Sequence, residues 1–116
     1  MKKLLYISLL LYSITSYGQS NFRTGQQLVE GARGYINGQA DYSSITFTAY
    51  VVGVIDAWQD ISEVSGKRAY CLPPEITIGQ VSDVSAKFII QHSEFWHLAG
   101  SSLVLAAIVK TFPCPQ

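Results

Sequence analysis

Few side chains in this sequence have chemistry to offer. They are two cysteines, Cys71 and Cys114, two histidines, His92 and His97, and an acidic series, Asp56, Asp60 and Glu63. A cysteine beside a histidine is the pattern of an activated nucleophile, because the thiolate and not the thiol attacks. Two histidines on one helix face can hold zinc, but that geometry needs them four apart, and these are five apart. Acidic residues at i, i+4 and i+7 share a helix face, where they would chelate a cation or do acid–base work. The same spacing is also the ordinary pattern of a solvated face. No G-x-S-x-G, Walker or dinucleotide-binding glycine pattern occurs. Trp58 and Trp96 read as core or partly buried interface residues. The sequence points to no catalytic residue, no metal site and no cofactor.

The beginning of the chain sets the redox conditions for those cysteines. Lys2 and Lys3 precede an apolar stretch from Leu4 to Ile14, and Ser16-Tyr17-Gly18 puts small residues three and one before a cut ahead of Gln19. This is the pattern of a cleaved secretory signal over residues 1–18, with a retained anchor as the alternative. Residues 19–116 then form a single small domain. It holds six Lys and Arg against eight Asp and Glu, a balance that suits neither nucleic acid nor an anionic membrane surface. In an oxidising compartment two cysteines read as one disulfide, Cys71 to Cys114, with free thiols as the alternative. Such a bond removes both thiolates and with them any Cys–His nucleophile.

Four helices are expected to position these residues. Thr24-Gly25-Gln26-Gln27 fits a capping box, followed by Leu28, Ala32, Tyr35 and Ile36 at helical spacing and a stop at Asn37-Gly38. The next run, Ser44 to Glu63, with Ser43 or Ser44 as its cap, is rich in β-branched residues. Even so, Phe47, Tyr50, Val51, Val54, Trp58 and Ile61 form one helical stripe, and the run is too long for an ordinary strand. Thr77-Ile78-Gly79-Gln80 is a second capping box, with Ile76 and Val81 as a hydrophobic staple and Val81, Val84, Ser85, Phe88 and Ile89 as the inner face. Ser93 with Glu94 is expected to start the last helix, which Pro113 ends. Its stretch Leu98 to Val109 is the most apolar of residues 19–116, so it is expected at the centre of the fold.

The connection from Glu63 to Ile76 is long for so small a bundle, and long ordered loops are often functional. Its Ser65-Gly66-Lys67-Arg68 is polar, and Pro73-Pro74 forces extended backbone after it.

Tyr50-Val51-Val52-Gly53-Val54-Ile55-Asp56-Ala57 resembles the YxxGxxDA helix of the Rap/Tai immunity proteins. Cys71-Leu72-Pro73-Pro74, Thr77-Ile78-Gly79-Gln80, His92, Ala106-Ala107 and Phe112-Pro113-Cys114 continue that pattern in the same order. The resemblance runs from about Gly25 to Cys114. It implies a small periplasmic all-α protein, usually a homodimer. It also implies that this protein binds a peptidoglycan amidase delivered by a type VI secretion system and blocks its active-site groove. The sequence departs from the pattern in two places. Many members have another cysteine pair where Ala32 and Phe47 stand here, and Ser93 replaces a frequent proline.

The resulting expectation is an all-α bundle of about four helices with one disulfide, acting as a periplasmic immunity protein rather than an enzyme. The expected partner-binding residues are Glu63, Ser65, Gly66, Lys67 and Arg68, on a loop pinned at its base by Cys71. The acidic face of Asp56, Asp60 and Glu63 is the alternative surface. A small periplasmic holdase chaperone is the alternative function, and a helical carrier of an apolar ligand is a third.

Overall fold

The computed structural model describes residues 22–116; the expected signal segment and its cut lie outside the described residues. The described residues form four α-helices: α1 (Gly25–Ile36), α2 (Tyr42–Ser65), α3 (Ile78–Gln91) and α4 (Gly100–Thr111). A single 3₁₀ turn, Ser93–Phe95, lies between the last two. The disulfide Cys71–Cys114 is present, joining the segment before α3 to the end of the chain.

Capping follows the sequence at α1 and α3. The Gln27 side chain accepts from the Thr24 amide at 3.0 Å. At α3 the Thr77 hydroxyl accepts from the Gln80 amide at 3.1 Å, while the Gln80 side chain accepts from the Thr77 amide at 2.9 Å. At α2 the expected serine cap gives way to Asp41, whose carboxylate accepts from the Ser44 amide at 2.9 Å. Ser44 instead takes the third helical position and returns its hydroxyl to the Asp41 amide. A carboxylate satisfies orphan amides at the positive end of a helix better than a hydroxyl does. The Ser44 amide, and then the two serine hydroxyls, hold the Asp41 carboxyl below its ordinary value.

The last helix begins later than expected, at Gly100 and not near Ser93. The reason is tertiary. The carbonyls of Trp96 and Leu98 accept from the Gln26 and Gly25 amides at 2.9 and 3.0 Å, and the Gly100 amide donates to the Arg23 carbonyl at 2.8 Å. The first two bonds satisfy the first amides of α1 and the third the first amide of α4, which no intrahelical carbonyl can reach. To make them, the chain forms turns over residues 96–98 and is extended at Ala99, φ −55° and ψ 135°, so no α-helix runs through this segment. The Trp96 indole donates to the Ile89 carbonyl, and the Arg33 guanidinium lies over its ring, so the segment is held from both sides.

The core comprises Leu28, Val29 and Ala32 of α1, Phe47, Val51 and Ile55 of α2, Val81, Ala86 and Ile89 of α3, and Leu103, Val104 and Ile108 of α4, with Tyr70. α4 contributes one face to it; Ser102 and Ala106 are exposed, so this helix is not enclosed on all sides as its composition suggests. Close helix approach depends on glycine. A Cβ on Gly31 would run into the Ser43 carbonyl, and Cβ atoms on Gly25 and Gly100 would run into Leu103 and Leu28.

Ser82 and Ser85 are fully buried, and their hydroxyls have no hydrogen-bond partner among the described residues. A buried polar atom left unpaired costs about 1–3 kcal/mol. Ser82→Ala and Ser85→Ala are therefore each expected to stabilise the protein by about 1 kcal/mol, read as a higher urea midpoint. A lower midpoint in either variant would show that its hydroxyl is bonded.

Candidate functional site

The loop between α2 and α3 is organised as an exposed tip on a fixed base. α2 runs to Ser65, so Glu63 and Ser65 belong to its final turn and the connection proper begins at Gly66. Gly66 takes the left-handed conformation, φ 69°, and donates its amide to the Ser62 carbonyl at 2.9 Å. Only glycine adopts this backbone without steric cost. The helix therefore turns sharply, and the Lys67 amide folds back onto the Ser65 hydroxyl at 3.2 Å.

The base is fixed by three contacts. Tyr70 is buried, and its hydroxyl donates to the Ile55 carbonyl at 3.2 Å. Burial, and secondarily the Asp56 carboxylate, pushes the Tyr70 phenol up, so it stays protonated and able to donate throughout the neutral range. The Cys71 amide donates to the Phe112 carbonyl at 2.9 Å, and the disulfide to Cys114 lies beside it. Tyr70 is the residue that sequence reasoning missed. Its signal was an aromatic next to a cysteine in an otherwise polar connection.

Glu63, Ser65, Gly66, Lys67 and Arg68 are all exposed, and the structure brings them together at the tip. Among the described residues neither cation makes an ion pair; the recorded pairs are Lys87 with Asp83 and His92 with Glu94. Val64, on the same turn, is almost wholly exposed. The tip thus offers two cations, small polar groups and one apolar side chain to whatever it meets.

The other candidate chemistry is dispersed. Both cysteines are consumed by the disulfide, which leaves no free thiol. The His92 ring packs on Phe88, centroids 4.1 Å apart, with Nδ1 at 3.3 Å from Glu94, and it ends α3. His97 is exposed in the segment before α4. Asp56, Asp60 and Glu63 lie along the solvent side of α2, and among the described residues no group of three His, Cys, Asp or Glu is placed to hold a metal ion. No described helix is long and apolar enough to cross a membrane.

The loop is thus an exposed tip on a fixed base, and both cysteines of the chain are held in its disulfide. Neither a curated protein nor a solved structure matches the chain. A family profile does match, described as Rap1a immunity proteins, over residues 24–114. That span takes in all four helices, the loop and both cysteines, and the chain belongs to the family of Rap1a immunity proteins.

Proposed function

We propose that this protein is a periplasmic immunity protein, released from a signal segment at residues 1–18, that binds a cognate type VI peptidoglycan amidase. It acts as a homodimer without a cofactor, does no catalysis of its own, and protects the cell wall by filling the amidase groove. The observation that supports this reading is the tip Glu63 to Arg68 on its fixed base of Tyr70, Cys71 and the disulfide. Steric occlusion needs a shaped surface and no reactive group. A tip that is already ordered loses less entropy on docking, so more of the contact energy appears as affinity. Lys67 and Arg68 are free to pair with acidic residues at a groove rim, while Ser65 and Gly66 are small enough to approach catalytic side chains.

Replacing Ser65 to Arg68 by a Gly/Ser linker of equal length is expected to leave the helices intact and weaken amidase binding at least tenfold, about 1.4 kcal/mol. Titration calorimetry with the amidase encoded beside the gene reads the affinity, and co-expression in the periplasm reads lysis. Unchanged affinity would move the contact to the face of Asp56, Asp60 and Glu63. Undiminished lysis in the presence of the native protein would overturn the immunity reading. Suppression of aggregation of unrelated proteins at low pH, with no amidase binding, would replace it by the holdase.

A further inference from the structure

Beyond Cys71 the loop runs on through Pro73-Pro74 to Thr77, which caps α3. Proline fixes its own backbone and restricts the residue before it, so this stretch is stiff. The Ile76 amide closes a turn onto the Pro73 carbonyl at 3.2 Å. Together with α3 and the end of α4, the stretch bounds an open hollow of about 410 Å³. Its apolar walls are Pro73, Ile76, Val84 and Phe112, and its charged groups are Glu75 and Asp83. Ile76, Val84 and Phe112 are partly buried and pack on the core, so these walls are in place without a partner. The Cys71 amide bond to the Phe112 carbonyl, and the disulfide beside it, hold the two sides together.

The size and the charge of the hollow narrow what it can take. About 410 Å³ is at the low end of the roughly 300–1,000 Å³ of ligand sites, which suits one long side chain better than a stretch of peptide. Both charges are negative, and among the described residues no Lys, Arg or His lines it. Asp83 is already paired with Lys87 at 2.8 Å. Glu75 is exposed and makes no ion pair among the described residues. A cation on an alkyl stem answers both features, the stem along the apolar walls and the head at the carboxylate. Arginine fits better than lysine. Its planar guanidinium bonds a carboxylate through two N–H groups and stacks on aromatic rings, which Phe112 supplies.

We propose that this hollow receives an arginine side chain of the amidase, as a second contact of the loop, opposite in charge to the tip. The inference rests on the reading above of the loop as the amidase contact, and adds to it a second point and the kind of residue that meets it. Arg68 and Pro73 are so close in sequence that at most roughly 17 Å of extended chain separates them. A standard interface of ~800 Å² per partner is roughly 30 Å across, so one partner covers both points. Cations at the tip and carboxylates at the hollow then demand the opposite order of charge on the amidase. That order sets the orientation of docking and rejects partners with the reverse arrangement. An acid just ahead of a helix also offsets the helix dipole, but that role shows in stability and not in affinity.

Nuclear magnetic resonance of the isotope-labelled mature protein tests the hollow by itself. N-acetyl-arginine methylamide at millimolar concentration is expected to shift the amide signals of Glu75, Ile76, Val84 and Phe112. The citrulline analogue, similar in shape but uncharged, is expected to leave them in place. In calorimetry with the amidase, Glu75→Gln is expected to weaken binding about threefold with an unchanged urea midpoint, and Glu75→Arg about tenfold or more, since it sets like charges together. Equal shifts by the two probes, no shift at the hollow, or a stronger response to the lysine analogue would each overturn the proposal. So would native affinity in Glu75→Gln, and a lowered midpoint with that affinity would leave Glu75 the dipole role alone. A native protein that binds no amidase, while the arginine probe still seats in the hollow, would sink the immunity reading and support the arginine site.

Discussion

Replacing Cys71 and Cys114 together by serine is expected to lower the unfolding free energy by about 4 kcal/mol, read from urea denaturation followed by far-ultraviolet circular dichroism. The bond closes a loop with a sequence separation of 43, which contains all of α3 and α4. Cutting it frees the unfolded chain to explore the conformations that the ring forbids. A domain of this size buries a modest fraction of its surface and has little stability in reserve, so a loss of this order is most of what it has. In the folded state the Cys71 amide bond to Phe112 and the Tyr70 bond to Ile55 remain, so the loop base should keep its place while the chain stays folded. Reduction of the native protein should match the double substitution. A midpoint that does not move in either would mean that the unfolded chain is already restricted without the bond.

A loss of about 3–5 kcal/mol is expected for Phe47→Ala, by the same denaturation. Phe47 is fully buried between α1 and α2, its ring centroid 6.1 Å from that of Tyr35. Its Cβ stands 2.8 Å from where a Cβ on Gly31 would lie, so the ring fills the seam that the glycine opens. Truncation leaves a cavity that the seam cannot close, because the Ser43 carbonyl already abuts Gly31. The family pattern that this sequence resembles has a cysteine here in many members, partnered at Ala32. Both positions are buried in this protein, so apolar packing takes the place of a covalent link. Val64→Ala, equally apolar but exposed, should change monomer stability by less than about 0.5 kcal/mol. A Phe47→Ala effect as small as that would mean that the α1–α2 seam contributes little to the fold.

Local chemistry in the sequence was enough to determine four helices, the caps at Thr24 and Thr77, and the pairing of the two cysteines. Each depends on residues close in sequence or on a simple count: hydroxyl and amide side chains three apart, apolar residues at helical period, two cysteines and no third. The family resemblance came from the same kind of short-range pattern, and the match over residues 24–114 agrees with it. Tertiary structure decided the rest. Ser93 and Glu94 carry a helix-start signal, yet the chain spends residues 96–99 on the first amides of α1, because those amides have no other partner. α4, the most apolar helix, leaves Ala106 in solvent, since a four-helix domain this small has too few neighbours to surround one helix completely. Tyr70 became the anchor of the loop only because folding brings it under the Ile55 carbonyl, 15 residues back along the chain. In sequence Gly53 is the glycine of the YxxGxxDA pattern, with nothing to say what surrounds it. The fold shows that a Cβ there would meet nothing within 4 Å among the described residues, and that is a property of the space around a residue, which a one-dimensional pattern does not contain.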